Sequence, residues 1–185
     1  KSPYIENLHV AEINPERLAE IKAETNPASS TDQWEELIKK EEIQAIIVSA
    51  TPEVTHYPMT KAALEAGKHV FVEKPISTTL EEADELIALA EANNLKFTVG
   101  YSQRFKPRFA YVNKVIKEKL AGEPVTCLVS RNVTRELGKK ITGRSKLSPA
   151  AMEATHDLDF LLWCLQPRKP VKVYSQTSGK LFREN

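Results

Sequence analysis

The 185-residue chain has little cysteine and little charge imbalance. It carries two cysteines, and 26 Lys and Arg stand against 25 Asp and Glu, a formal net charge of +1. Cys127 and Cys164 lie on separate apolar segments. Two such distant residues point to buried, reduced thiols in a cytoplasmic protein rather than to a disulfide framework. The balanced charge gives no electrostatic reason to expect a nucleic acid or an anionic membrane as partner. No apolar run approaches the ~18 residues of a membrane span, and no signal-peptide pattern opens the chain. Internal repeats and low-complexity segments are missing too. The six glycines, Gly67, Gly100, Gly122, Gly138, Gly143 and Gly179, nowhere form G-x-G-x-x-G. That turn lets backbone approach a pyrophosphate at a helix N-terminus.

What is present is an alternation of strand and helix. "LHVAEI" (8–13) has the pattern of a short strand. Asn14 then caps a helix with Pro15 at its first position, where a missing N–H costs nothing. Asp32 and Glu35 form a capping box for a helix through Lys40. "AIIVSA" (45–50) is continuously apolar, the pattern of a strand covered on both faces. A helix from about Thr55 tolerates Pro58 in its first turn and stops at Gly67. "HVFVEK" (69–74) is the next strand. Thr79 and Glu82 make a second capping box, and Ala83, Leu86, Ile87 and Ala90 fall on one helical face. "KFTVGY" (96–101) is a further strand. This succession predicts a parallel sheet with helices on both sides.

The pattern changes after Gly100. Residues 107–120 predict an amphipathic helix with Phe109, Val112, Ile116 and Leu120 inward. "PVTCLVSRNV" (124–133) predicts a strand, 134–148 a basic loop, and Ser148-Pro149 the start of a helix through about Leu165. On that helix Leu158, Leu161, Leu162 and Leu165 can face the core. "VKVYSQTS" (171–178) alternates like a strand, and Ser178-Gly179 suggests a hairpin turn. The fold class expected is α/β: a Rossmann-type parallel sheet with helices on both faces, followed by an α+β domain with a largely antiparallel, open sheet. The expected division is a dinucleotide-binding domain over 1–103 and a substrate-binding and oligomerisation domain over 104–185.

Open parallel sheets bind ligands at the carboxyl ends of their strands. Here those ends carry Glu12, "SATPEVTH" (49–56), "EKP" (73–75) and "GYSQRF" (100–105). A carboxylate at the position of Glu12 accepts hydrogen bonds from ribose hydroxyls and repels a 2′-phosphate, which favours NAD over NADP. The missing glycine turn leaves two alternatives. Either the first strand–loop–helix precedes Lys1, or the fold is of another kind; we favour the first. Lys1 as a start and "GKLFREN" as an end fit a piece of a longer chain.

From "FVEKPIS" (71–77) outward, the chain resembles the glucose–fructose oxidoreductase/inositol dehydrogenase (Gfo/Idh/MocA) family. "AEINPERLAE" resembles the family's second strand and helix. "SATPEVTHYPMTKAALEAGKHVFVEKPIS" is a close and specific match, "VGYSQRFKP" matches the segment joining two domains, and "HDLDFLLW" matches a His-x-x-Asp helix. The resemblance implies an NAD-dependent oxidoreductase acting on a secondary alcohol of a sugar, polyol or related hydroxy compound. It also implies homodimers or homotetramers built through the second domain.

Oxidising such an alcohol requires the carbon near the nicotinamide, a route for the hydroxyl proton and stabilisation of the developing oxyanion. Lys74 suits the last two tasks. The resemblance implies that Glu73 and Lys74 contact the cofactor ribose or substrate, and that Pro75 follows a cis peptide that aims Lys74. Thr51, Pro52 and His56 match its cofactor-lining loop, with His56 shaping the loop rather than reacting. Gln103 and Arg104 lie where the family touches cofactor or substrate, although an ordinary linker contact competes with that role. His156 is implied as acid/base or orienter, three residues before Asp159 on one helix face. A third ligand at metal spacing is missing, so no metal is expected. Inositol-type members carry an Asp four residues before the motif histidine; this chain has Met152 there and Glu153 one place on. One helical residue is ~100° of rotation, so Glu153 does not simply inherit that role.

The basic stretch 131–146 either clamps a substrate carboxylate or phosphate or forms a solvated loop. Two competing readings complete the set. One is a non-redox enzyme that retains NAD; the other is an NAD-binding sensor of the same fold.

Overall fold

The computed structural model describes residues 3–144 and 147–176. The chain divides into two compact units. One is the chain up to Tyr101 together with Asn132–Thr155, and the other is Ser102–Arg131 together with the chain from His156 onward.

The first unit opens with strand β1 (His9–Ala11), which pairs in parallel with β2 (Ser29–Thr31), His9 opposite Ser29 and Ala11 opposite Thr31. Helix α1 (Pro15–Thr25) connects them. It begins as the sequence predicts, because Asn14 Oδ1 accepts the amides of Glu16 and Arg17, each at 3.0 Å. Helix α2 (Trp34–Ile38) is shorter than expected, and Asp32 does not cap it. Instead Thr31 Oγ1 accepts the amide of Gln33 at 3.1 Å and donates to Glu36 Oε2 at 2.6 Å.

Strands β3 (Ala45–Val48), β4 (His69–Val72) and β5 (Phe97–Val99) form a second parallel ladder in that order. A 3-10 turn at Glu53–Thr55 runs into α3 (His56–Glu65), and α4 (Leu80–Ala92) follows β4. Gly67 ends α3 at φ 74°, a left-handed conformation that a Cβ disfavours. Thr79 Oγ1 accepts the amide of Glu82 at 3.3 Å, the cap expected for α4. Val48, Val70 and Val72 pack against Ala63 and Leu64 of α3 and Leu86 and Ala90 of α4. Each fully buried valine or leucine among them contributes about 1.5–3 kcal/mol.

Among the described residues only one face of this ladder is covered. Ile47, on the other face, is 69% exposed, so the both-faces reading of 45–50 is corrected. A run of apolar residues reports the tolerance of both faces for burial, not which neighbour supplies it. Ile87 is likewise exposed, because the buried stripe of α4 runs through Leu86 and Ala90.

Further along, α6 (Arg135–Arg144) replaces the structureless loop expected there, and buries Ile141. Lys146 lies outside the described residues. Helix α7 (Pro149–Leu165) matches its prediction and carries residues of both units.

In the second unit a 3-10 turn (Ser102–Phe105) precedes α5 (Pro107–Lys117). Phe109 meets Phe160 edge-on at 4.9 Å between ring centroids. The buried residue of α5 is Asn113, whose amide donates to the carbonyl of Trp163 at 3.2 Å, while Val112 and Leu120 face outward. Leu158 and Leu162 of α7 are exposed too, and Asp159 and Cys164 are its buried members here. No strand forms among the described residues of this unit; 124–133 and 171–176 run without ladder partners. Cys127 is exposed, contrary to expectation, because its segment pairs with no strand among the described residues. Residues 177–179, with the expected hairpin turn, lie outside the described residues.

Candidate active site

The period-2 burial of β4 places Val70 and Val72 in the core and His69 and Phe71 on the other face. The ladder closes when Glu73 N donates to the carbonyl of Val48 at 2.8 Å. Pro75 has no N–H to extend it. Glu73 and Lys74 therefore leave the sheet at the carboxyl end of β4, beside the carboxyl end of β3. The Thr51-Pro52 and Lys74-Pro75 peptides are cis, the second as expected.

Ser49, Ala50, Thr51, Glu53, His56, Glu73 and Lys74 line a cavity of about 160 Å³ at these two strand ends. The structure thus brings together four of the expected residues, Thr51, His56, Glu73 and Lys74, with Pro52 and Pro75 adjoining them in the chain. His56 is fully buried and ties the two loops together. Its Nδ1 lies 2.7 Å from the carbonyl oxygen of Pro75 and its Nε2 lies 3.0 Å from that of Ala50. Sequence reasoning passed over Glu53, which is buried in the same cavity. The signal available was its place directly after Pro52, where a helical turn starts.

The Glu73 carboxylate accepts the amide of Lys74 at 3.2 Å. It also packs on Gly100, where an added Cβ would come to 3.0 Å from Glu73 Oε2. The Lys74 ammonium donates to the carbonyl of Met152 at 3.0 Å and forms an ion pair with Glu153 Oε1 at 3.4 Å. All these groups belong to the first unit.

Glu12 stands at the end of β1, in the other ladder. Its carboxylate accepts the amide of Asn14 at 3.0 Å and pairs with Arg17 at 3.3 Å.

The remaining expected residues belong to the second unit. Asp159 and Arg104 form a two-pronged ion pair with each other, one prong at 2.8 Å from Nε, and the guanidinium lies 5.7 Å from the Trp163 ring centroid. Gln103 is buried, and its side-chain oxygen has no partner among the described residues. His156 is half-buried on α7. On the same helix the carboxyl of Asp157 is held below the usual carboxylate range by the hydrogen-bonded guanidinium of Arg131. Among the described residues no group of three His, Cys, Asp or Glu could hold a metal, and no helix is long and apolar enough to cross a membrane.

The residues present fit the nicotinamide–ribose half of a dinucleotide. Glu73 offers an acceptor for ribose hydroxyls, and Ser49 and Thr51 offer hydroxyls. The pyrophosphate turn is not supplied by any glycine of this chain.

Comparison with known proteins gives the same assignment. Residues 3–101 match the family model described as an oxidoreductase family with an NAD-binding Rossmann fold. An oxidoreductase of Synechocystis sp. is 30% identical over 154 residues, covering 80% of this chain and 41% of that protein. A 2,7-anhydro-N-acetylneuraminate hydratase of Mediterraneibacter gnavus is 31% identical over 154 residues, covering 81% of this chain and 40% of that protein. Among solved structures, the scyllo-inositol dehydrogenase of Lactobacillus casei with bound NAD(H) and scyllo-inositol has a TM-score of 0.59 at 25% identity, covering 65% of this chain and 36% of that one. The chain thus spans about two fifths of the length of such relatives. With its strand-end cavity and its match over more than half its length, the chain belongs to the Gfo/Idh/MocA oxidoreductase family with its NAD-binding Rossmann fold.

Proposed function

We propose that the protein is an NAD-dependent oxidoreductase that moves a hydride between the cofactor and a secondary alcohol of a sugar, polyol or related hydroxy compound. The observation that carries this reading is the convergence of Glu73, Lys74, Thr51 and His56 on one cavity at the carboxyl ends of β3 and β4. NAD⁺, when bound, supplies the hydride acceptor. Thr51, Pro52 and Glu73 bind its nicotinamide–ribose half, and Glu12 accepts from the adenine ribose and disfavours a 2′-phosphate. Lys74 donates a hydrogen bond to the substrate oxygen and stabilises negative charge as it develops there. His156 exchanges the hydroxyl proton. Asp159 and Arg104 act on the site through their mutual ion pair, which fixes the helix that carries His156.

In this reading residues 1–103 are the dinucleotide domain and 104–185 belong to a substrate and oligomerisation domain. An antiparallel sheet of that second domain joins protomers into a dimer or tetramer. The protein works in the cytoplasm on a small-molecule substrate.

A second reading keeps NAD bound through a net non-redox reaction. It is favoured by the similarity to a hydratase.

The test is NADH absorbance with a panel of sugars and polyols, run beside Lys74→Ala. Turnover with at least one neutral polyhydroxy substrate is expected. Lys74→Ala should lower kcat by about two to four orders of magnitude while the chain stays folded by circular dichroism. Unchanged turnover would remove Lys74 from the mechanism. Tight NAD binding without net absorbance change on any substrate would favour the second reading.

A further inference from the structure

The carboxylate that meets Lys74 comes from an unexpected place on α7. Met152 is buried at 1% exposure, its side chain turned to the core, and only its backbone carbonyl reaches the ammonium at 3.0 Å. Glu153, one residue and about 100° further round the helix, faces the amine instead, with Oε1 at 3.4 Å. The two side chains keep only 15% and 21% of their surfaces in solvent, so the pair is screened less than a surface ion pair.

An ammonium has three hydrogens to donate. The Met152 carbonyl and the Glu153 carboxylate occupy two of them, which leaves one for a substrate oxygen. The surrounding charge matters as much as the aim. The cavity wall holds the carboxyl groups of Glu53 and Glu73, with Lys74 and the His56 ring as its other ionisable groups. Among the described residues, Glu153 adds a third carboxylate against the Lys74 ammonium. A cavity whose lysine is already neutralised has no surplus positive charge for an anionic substrate.

We infer that Glu153 is a positioning and specificity-determining residue: its carboxylate holds the Lys74 amine as an aimed hydrogen-bond donor and, by neutralising it, selects a neutral polyhydroxy substrate over a carboxylate-bearing one. The selectivity rests on the proposed function above; the pairing does not. The basic stretch 131–146 then has no substrate anion to clamp.

The test uses Glu153→Gln, which keeps the shape and removes the charge, and Glu153→Asp, which keeps the charge. The first readout needs neither cofactor nor turnover. The full chain is pulsed with acetic anhydride, and acetylation of Lys74 is measured by mass spectrometry against exposed Lys96. Glu153→Gln should acetylate Lys74 about three- to tenfold faster than wild type, and Glu153→Asp should stay near wild type. Equal labelling in wild type and Glu153→Gln, with both folded by circular dichroism, overturns the inference. Should Glu153→Gln not fold, the ratio of Lys74 to Lys96 labelling in wild type decides. A ratio that rises in strong salt upholds the pairing, since burial alone does not respond to screening, and a salt-independent ratio overturns it.

The second readout is kcat/KM for glucose and glucuronate, which differ by one carboxylate. Wild type should prefer glucose, and Glu153→Gln should shift the ratio about tenfold toward glucuronate, with Glu153→Asp restoring it. A shift in labelling without a shift in this ratio overturns the selectivity and keeps the pairing. A shift in labelling with no turnover of any substrate by any variant upholds the pairing and overturns the proposed oxidoreductase activity instead.

Discussion

The Nδ1 atom of His56 lies 2.7 Å from the carbonyl oxygen of Pro75, so the first turn of α3 is fastened to the loop that leaves β4. The other ring nitrogen reaches the carbonyl of Ala50 on the loop that leaves β3. One buried ring therefore sets the spacing between the loops bearing Thr51 and Lys74. His56→Ala removes a fully buried ring and leaves two carbonyls without their partner. A neutral ring donates to one of those carbonyls at a time, so with the lost packing the change should destabilise the chain by about 2–4 kcal/mol, read as a lower urea midpoint. A loss below about 0.5 kcal/mol would show that the loops hold their spacing without the ring.

Gly100 presents its bare Cα to the Glu73 carboxylate. An alanine there would bring Cβ to 3.0 Å from Oε2 and 3.1 Å from Cδ. The clash is with the far end of a flexible side chain, so Gly100→Ala should move the melting temperature by only a few degrees. The displaced carboxylate should weaken NAD binding about tenfold, measured by fluorescence titration. Unaltered affinity would dissociate Glu73 from the cofactor.

Glu12 serves its own turn through Asn14 and Arg17, which makes Glu12→Gln a gentler probe than alanine. Replacing a charged acceptor by a neutral one should cost NAD about tenfold in affinity. NADP should lose nothing or gain, because a negative charge facing its 2′-phosphate is removed. Equal losses for both dinucleotides would take the ribose contact away from Glu12.

Arg131 and Asp157 form a two-pronged ion pair in the second unit. The Arg131 guanidinium, and with it the nearby charge, lowers the Asp157 pKa in the folded chain. A carboxyl depressed on folding contributes stability above its unfolded value near pH ~4 and loses it as pH falls through the folded value. Arg131→Ala should therefore cost about 1 kcal/mol near neutrality, discounted for partial exposure. That deficit should shrink in acid, below about pH 3. Urea melts followed by tryptophan fluorescence at both pH values would show it, and a deficit independent of pH would contradict the assignment.

Strand β2 and the start of α2 escaped the sequence, whereas the starts of α1 and α4, the stop of α3, strands β1, β3, β4 and β5 and the strand-end loop with Thr51, His56, Glu73 and Lys74 were legible from the residues. They follow from local chemistry: Asn14 and Thr79 satisfy amides beside them, Gly67 tolerates a left-handed turn, and Pro75 forbids a further ladder bond. What no local rule holds is the identity of a neighbour across the chain. The exposure of Ile47 and Leu158, the replacement of a basic loop by α6 around Ile141, and the missing ladders at 124–133 each depend on which surface arrives to cover a face or pair an edge. The same holds at the site. Sequence set Met152 and Glu153 side by side, but only packing turned the methionine inward and the carboxylate to Lys74, because burial of apolar area fixes the rotation of a helix and the rotation decides which charge meets the amine.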